Sequence, residues 1–312
     1  MQVRKKTANA RAVLERSPII PNIRQSARRV AATVLRNVRF PGRFLVYRML
    51  ESLLGENPGR FIVPLAGGGK LLIDGVVDSQ FFFLGDLDWN VERFLLRSVR
   101  PGSIVFDVGA NIGGYTIPLA LRVGERGHVY AFEAFRPNYE MLLQSVALNK
   151  LTNVTAVFGA VTDGSGTLEV PNPGRNGSKN IGNYSLATDS PNRAVIPSWS
   201  LDDFICQNEI TRVDLLKIDI EGSETMAFRG ACSLLSERKV HTVVFELNPH
   251  WLAKMGSSAE ELWEVVQSAG PTAFVLGSFS RLRAIDKRYI LHWLSEPDNS
   301  GKLDVVLKYG KS

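Results

Sequence analysis

The spacing of apolar positions along this chain changes character near residue 102. Before that point, over 27–38 and 44–54, apolar residues recur at helical intervals with arginines between them, which predicts two amphipathic helices. Two short apolar runs on either side of a triple glycine at 67–69 predict a β-hairpin, and a further helix is expected over 89–99. The first 25 residues contain two prolines and no sustained periodicity, so they are expected to be poorly ordered.

After residue 102, short β-rich apolar runs alternate with helical segments. Because strands that are apolar throughout are buried on both faces, this alternation predicts an α/β domain with a mostly parallel sheet and helices on both sides. Strands are expected at 103–108, 129–132, 155–158, 215–218, 242–245 and 273–276, and helices at 113–123, 137–149, 200–207, 222–236 and 258–268. The run 303–308 adds a strand at an edge or inside the sheet. Residues 171–198, rich in Pro, Asn, Gly and Ser, predict a long surface insertion.

The composition is that of a globular protein. The chain has 312 residues, of which 45% are hydrophobic and 22% charged, enough for one large domain or two modest ones. The chain contains no run of 18 apolar residues, so no membrane-spanning helix is predicted. Cys206 and Cys232 cannot build a disulfide scaffold, so a cytoplasmic location is expected, and four scattered histidines offer little material for a zinc site.

Charge is distributed unevenly along the chain. Residues 1–60 hold 13 Lys and Arg against three Glu, a net charge of +10, whereas the rest of the chain carries −4. We therefore divide the chain into a basic helical extension (1–60), a hairpin and helix cap (61–101) and a main domain (102–312). Such a basic segment is typical of contact with an anionic membrane or a nucleic acid, of a targeting sequence, or of a solvated tail. Since residues 1–40 belong to no motif, a chain lacking them is expected to fold.

The sharpest motif is a glycine turn after the first strand of the main domain, in the run SIVFDVGANIGGYT that ends at Thr116. Asp107 lies at the end of the strand, and Gly109 lets the backbone come close to a ligand before a helix opens near 113–114. A dinucleotide fingerprint would place a glycine where Asp107 stands. The carboxylate repels a pyrophosphate and suits a ligand that carries an ammonium group.

A second acid follows one repeat later. Glu133 ends the next strand, 26 residues after Asp107, which is about one strand–helix–strand unit. A carboxylate at this position can accept hydrogen bonds from both hydroxyls of a ribose. The two acids and the glycine turn therefore predict one crevice that binds a ribose and an ammonium group.

With these motifs the chain resembles the FkbM-type family of S-adenosylmethionine-dependent methyltransferases. The matching stretches, in the right order, are FDVGANIGGY (106–115), AFEA (131–134), SLDDF (200–204), LLKIDIEGSE (215–224) and VVFELNP (243–249). The resemblance implies a Rossmann-like class I methyltransferase fold with a seven-stranded sheet. It also implies methyl transfer from S-adenosylmethionine to a hydroxyl of a sugar, glycolipid or secondary metabolite.

The resemblance also assigns cofactor contacts. The methionine part would be held by four residues of the glycine turn, the ribose by Glu133, and the adenine would be bordered by the stretch 159–161 after the third strand. The cofactor-binding residues implied in this way are Asp107, Gly109, Ala110, Asn111, Gly113, Tyr115, Glu133, Ala134, Ala160 and Val161.

Another group of acids ends two later strands, where ligands bind in open sheets. Asp219 and Glu221 follow one strand, and Glu246 and His250 follow the next. Asp219, Glu246 or His250 could take the proton of an attacking hydroxyl. Alternatively, Asp219, Glu221 and Glu246 hold a divalent cation that lowers the pKa of the hydroxyl, or the acids cap helices and pair with Lys217.

Two other functions stay open from the sequence. One is an RNA methyltransferase that uses the basic N-terminus, although no RNA-binding module is recognisable. The other is a binding protein that keeps the cofactor fold without turnover. We expect a small-molecule or glycan hydroxyl as acceptor rather than a nucleic acid, with peripheral contact to an anionic membrane through 1–60 as an option.

Overall fold

The centre of the fold is an eight-stranded, mostly parallel sheet covered by helices, as a computed structural model shows. The structure describes residues 19–38, 40, 42–54, 59–74, 78–172, 185–186, 190–296 and 301–309. The expectations for residues 1–18, and for 173–184 and 187–189 of the predicted insertion, lie outside the described residues.

The elements follow the predicted alternation. The helices are α1 (Ile19–Asn37), α2 (Arg43–Leu54), α3 (Ser79–Leu84), α4 (Trp89–Ser98), α5 (Thr116–Val123), α6 (Arg136–Leu148), α7 (Leu201–Gln207), α8 (Glu224–Arg229), α9 (Cys232–Ser236), α10 (Pro249–Lys254), α11 (Ala259–Gln267) and α12 (Lys287–Ser295). The strands are β1 (Arg60–Pro64), β2 (Lys70–Asp74), β3 (Ile104–Val108), β4 (His128–Glu133), β5 (Val154–Phe158), β6 (Ala160–Val161), β7 (Gly166–Pro171), β8 (Arg193–Trp199), β9 (Val213–Ile218), β10 (Val240–Leu247), β11 (Thr272–Leu276), β12 (Leu282–Ala284) and β13 (Leu303–Lys308). The single helix expected over 222–236 is divided at Gly230 into α8 and α9.

The strand order in the large sheet is β12-β11-β13-β10-β9-β3-β4-β5. Neighbours from β10 to β5 are parallel, whereas β13 is antiparallel to both β10 and β11. The order reverses between β3 and β9, and ligands bind in such sheets at the carboxyl ends beside that reversal. The expected Rossmann-like, mostly parallel sheet is confirmed, with β13 inside it. The seven expected strands are joined by an eighth, β12, which is only three residues long.

Both faces of the sheet are buried, as the apolar runs predicted. Successive side chains of a strand point to opposite faces, so Phe106 packs with α7, α8 and α11 while Val105 packs with α4 and α5. On β9, Leu216 belongs to the same cluster as Phe106, and Leu215 belongs to the same cluster as Val105 on the other face. Burial of each such side chain contributes about 1.5–3 kcal/mol, so the strands that carry the site rest on a well-packed support.

The predicted insertion is in part a small sheet. Residues 193–199 form β8, which pairs antiparallel with β7 and parallel with β6. Its inward side chains, Ile196 and Ser198, are buried, and this alternation outweighs the Pro and Asn content on which the loop prediction rested. The prediction of a surface insertion over 171–198 is therefore wrong for 193–198.

The two N-terminal helices pack against the body of the protein. Ala32 and Leu35 of α1 and Tyr47 of α2 belong to one buried cluster with Phe83 of α3 and Ile117 of α5. The helix α1 begins at Ile19, earlier than expected, because a proline in the first turn of a helix loses no hydrogen bond. No described helix has both the length and the apolar character needed to cross a membrane.

Ion pairing and hydrogen bonds join these helices to the cap. The Arg43 guanidinium donates to both carboxylate oxygens of Asp86, at 2.7 and 2.5 Å, and both side chains are buried. Arg36 donates two hydrogen bonds to the Phe82 carbonyl oxygen. The predicted boundary at residue 60 therefore marks no break in the packing. The expectation that a chain lacking 1–40 folds normally conflicts with the burial of Ala32 and Leu35.

Candidate active site

A cavity of about 710 Å³ opens at the carboxyl ends of β3, β4, β9 and β10. Residues of the cap and of α2 form its opposite wall, among them Arg43, Asp88 and Trp89. Ten of the thirteen sequence-predicted site residues line it: Gly109, Ala110, Asn111, Tyr115, Glu133, Ala134, Ala160, Val161, Asp219 and Glu246. One cavity thus joins the predicted cofactor residues with two of the predicted catalytic acids.

Three predicted site residues do not line this cavity. Asp107 is fully buried behind it. Gly113 faces Leu142 and Ile117 in the interior, and its neighbour Gly114 lines the cavity instead. His250 is exposed on α10, where its ring packs against Trp251. The structure thus gives His250 no contact with the other candidate catalytic groups.

Glu133 is held at the cavity wall by backbone groups. Its carboxylate accepts hydrogen bonds from the Asn111 N–H at 2.7 Å and the Phe135 N–H at 2.8 Å. Burial raises the pKa of Glu133 to about 7, although the two N–H donors act in the opposite direction. The Asn111 side-chain oxygen is buried without a hydrogen-bond partner among the described residues. A ligand with hydroxyl or ammonium donors would satisfy both groups.

The glycine turn is tight because two loops meet there. Gly109 has a φ of 78°, and a Cβ at this position would lie 1.9 Å from the Asp219 carbonyl oxygen. Only glycine fits such a conformation and such a close approach. The turn that borders the cofactor end is therefore in contact with the loop that carries Asp219.

A buried lysine connects the two parts of the site. Lys217 Nζ donates to the Gly109 carbonyl oxygen at 2.9 Å and lies 3.2 Å from Asp107 Oδ1 and 3.6 Å from Asp219 Oδ2. Burial alone lowers the pKa of Lys217, but the Asp107 and Asp219 carboxylates outweigh it, and the pKa is raised above its ordinary value. Asp107 also accepts a hydrogen bond from the Thr116 hydroxyl at 2.6 Å. Asp107 thus positions Lys217, and through it Asp219.

Three carboxylates lie at the other end of the cavity, those of Asp219, Glu221 and Glu246. Glu246 forms an ion pair with Lys302. Burial, followed by the charges of Asp219 and Glu246, raises the pKa of Glu221 to about 8. Among the described residues, none pairs with the Glu221 carboxylate. A carboxylate with such a pKa is suited to accept a proton near neutral pH.

The turn that carries Glu221 is clamped from the next helix. Glu224 accepts hydrogen bonds from the Ile220 N–H at 3.1 Å and the Gly222 N–H at 2.9 Å. Glu221 itself has a φ of 49°, an unusual conformation for a residue with a side chain, and these bonds hold it there. Within the described part of the chain, no three His, Cys, Asp or Glu side chains are grouped as metal ligands, so the cation alternative for Asp219, Glu221 and Glu246 gains no geometric support.

Several lining residues were not predicted from the sequence. Arg43, Asp86 and Lys302 contribute charged groups, and Ser223 contributes a hydroxyl that is buried without a partner among the described residues. Lys302 precedes β13, whose antiparallel pairing with β10 sets Asp304 opposite Glu246. Ser223 lies within the quoted run 215–224, whereas no local motif marks Arg43, Asp86 or Lys302, because they reach the cavity only through the docking of distant elements.

Comparison with known proteins gives matches to methyltransferases. A family model described as the methyltransferase FkbM domain matches residues 107–271, which is more than half of the chain. The hexuronic acid methyltransferase AglP of Haloferax volcanii is 23% identical over 193 residues, covering 60% of this chain and 75% of that protein. The catalytic subunit TRM61 of the tRNA (adenine(58)-N(1))-methyltransferase of Yarrowia lipolytica is 30% identical over 76 residues, 24% of this chain and 19% of that protein.

A solved structure also matches. The methyltransferase FkbM from Methylobacillus flagellatus aligns with 68% of this chain at 17% identity and a TM-score of 0.42. This chain spans 44% of the length of that protein.

Proposed function

This chain belongs to the FkbM methyltransferase family, and we propose that it moves the methyl group of S-adenosylmethionine onto a hydroxyl of a sugar-like small molecule. The observation that carries the proposal is the single cavity that runs from Glu133 and Asn111 to Asp219 and Glu221. Its two ends offer different chemistry, one suited to a ribose and an amino acid, the other to a reacting hydroxyl. The relative that acts on hexuronic acid supports a sugar-like acceptor.

The residues at the first end fit the cofactor. The Asn111 side-chain oxygen, which has no hydrogen-bond partner among the described residues, and the buried Glu133 carboxylate are acceptors to which the ribose hydroxyls and the ammonium group would donate. Ala160 and Val161 form an apolar border for the adenine. When bound, S-adenosylmethionine supplies a methyl group on a positively charged sulfur.

At the second end of the cavity, the acidic side chains of this protein bind the acceptor hydroxyl and accept its proton. In the proposed mechanism the acceptor hydroxyl donates its hydrogen bond to the Glu221 carboxylate, and Asp219, which Lys217 holds in place, lines the cavity beside it. The hydroxyl proton would pass to the Glu221 carboxylate as the hydroxyl oxygen is methylated, and S-adenosylmethionine, when bound, would supply the methyl group and keep the electron pair of its carbon–sulfur bond on the sulfur. Positioning and a local base are what the protein adds, because the methyl group is already activated.

The activity itself is tested with radiolabelled methyl donor. Calorimetry with S-adenosylmethionine, and separately with NAD, is expected to give binding for the first ligand only. Labelled methyl groups are then expected to appear on hexuronic acids or their glycosides, and to resist mild base as ethers do. Binding of NAD alone, or label only on added RNA, would contradict the proposal.

Glu133→Gln is expected to weaken S-adenosylmethionine binding about ten- to hundredfold, since hydrogen bonds to a charged group are worth about 1.5–3 kcal/mol. The pKa of Glu133 is about 7 in the free protein, and hydroxyl donors favour the ionised form. Affinity should therefore rise as the pH increases through 7, and the glutamine variant should lose this dependence. Calorimetry between pH 6 and 8 measures both effects.

The matched control is Glu140→Gln, which makes the same change on the exposed face of α6. Its affinity and pH dependence are expected to equal those of the parent protein. An unchanged dissociation constant for a folded Glu133→Gln protein would remove Glu133 from the cofactor site.

A further inference from the structure

We propose that α1 and α2 form a docking surface for an anionic lipid bilayer. Both helices expose large apolar side chains at intervals of four residues, which places them in one stripe on each helix. This N-terminal apolar face consists of Val30 and Val34 of α1, Val38 directly after its last residue, and Leu45, Met49 and Leu53 of α2, whose exposed fractions range from 49% to 72%.

The two stripes look away from the protein body. Ala32 and Leu35 of α1 and Tyr47 of α2 turn inward to the same buried cluster. The opposite side of each helix is therefore directed outward. Exposed apolar patches of this extent mark interaction surfaces in folded proteins.

The charges beside the face select an anionic partner. The helix α1 contains no acidic residue, and Arg29 and Arg48 are exposed next to the apolar positions. The one acid of α2, Glu51, is engaged by Arg48 and by the Tyr47 hydroxyl. Together with the net charge of +10 over residues 1–60, these groups favour lipid phosphates. A second copy of the same basic face would be repelled.

The face matches helices that lie in the bilayer surface rather than cross it. Such helices combine an apolar side with arginines and lysines, and they insert only to the depth of the headgroups. Phe40 and Phe44 are exposed beside the face and also line the cavity. Docking would therefore bring the mouth of the cavity to the lipid surface.

Vesicle flotation with the full-length protein tests the proposal. Vesicles of phosphatidylcholine with phosphatidylglycerol, and of phosphatidylcholine alone, serve as probes at low and high salt. We expect binding to the anionic vesicles and at least about 100-fold weaker binding for the variant Leu45→Glu/Met49→Glu/Leu53→Glu. The matched control, Leu121→Glu/Leu143→Glu/Val195→Glu, adds the same three charges at exposed apolar positions outside the face and should bind like the parent.

A second variant keeps the apolar face intact. Arg29→Gln/Arg48→Gln removes two surface charges and should weaken binding to anionic vesicles about 30-fold, with a smaller effect of salt. No flotation of the parent protein, or equal flotation of the face variant and its control, would overturn the proposal. The proposal would also be overturned if the parent protein formed a dimer, did not bind vesicles, and lost its dimerisation in the face variant. Binding of S-adenosylmethionine, measured on the same proteins, reports on the proposed function separately.

Discussion

Replacing Glu221 with glutamine is expected to lower the rate of methyl transfer by about 10²–10⁴-fold, the usual contribution of a positioned base. Glutamine keeps the size of the side chain but cannot accept the proton. In the parent enzyme the pKa of Glu221 is about 8, so kcat/KM should rise with pH up to that value and then level off. The variant should lose this rise and keep its affinity for S-adenosylmethionine.

The variant Asp219→Asn distinguishes the role of Glu221 as the base from that of its neighbour Asp219. The negative charge of Asp219 raises the pKa of Glu221, so removing that charge should move the rise in kcat/KM to lower pH. If the rise of kcat/KM with pH disappeared in Asp219→Asn and persisted in Glu221→Gln, Asp219 would be the base and Glu221 its neighbour. Stopped-time assays with labelled methyl donor from pH 6 to 9 measure both profiles.

Asp86→Ala is expected to lower the free energy of unfolding by about 3–5 kcal/mol. The substitution removes the carboxylate that faces the buried Arg43 guanidinium and leaves this charge in a place with little water. Urea unfolding followed by circular dichroism measures the loss, with an unchanged m-value as evidence that the denatured state is the same.

The double variant Asp86→Ala/Arg43→Met provides the control. Replacing a buried ion pair with apolar side chains is often neutral or stabilising, so the double variant should be more stable than Asp86→Ala alone. Equal losses in both proteins would mean that the charge of Arg43 is not the cause. Because Arg43 lines the cavity, the same proteins also show whether α2 contributes to substrate binding.

The main sheet could be predicted from the sequence because each strand carries its own signal. Runs such as 215–218 are apolar throughout, and the turns between strands and helices are marked by glycine or by capping residues. Ser200 illustrates the latter, since its hydroxyl oxygen accepts a hydrogen bond from the Asp203 N–H group at the start of α7, directly after β8. The position of Glu133 at the carboxyl end of β4 follows from the apolar run that it ends.

What the sequence could not predict depends on register and docking. Asp107 was expected to contact the cofactor, but the pairing of β3 with β9 sets it directly opposite Lys217. That pairing joins residues 110 positions apart, and nothing local specifies it. His250 was expected near the reacting groups because it follows β10. The helix α10 begins at Pro249 and directs it to the surface instead.

The place of β13 between β10 and β11 has a consequence for assembly on the ribosome. Domains form as the chain emerges from its amino end, so β3, β4, β9 and β10 are available to pair while β13 is still unmade. The hairpin of β11 and β12 has no strand to join until β13 fills the gap. The half of the sheet that carries Glu133 can therefore pair first, and the wall with Lys302 is added last.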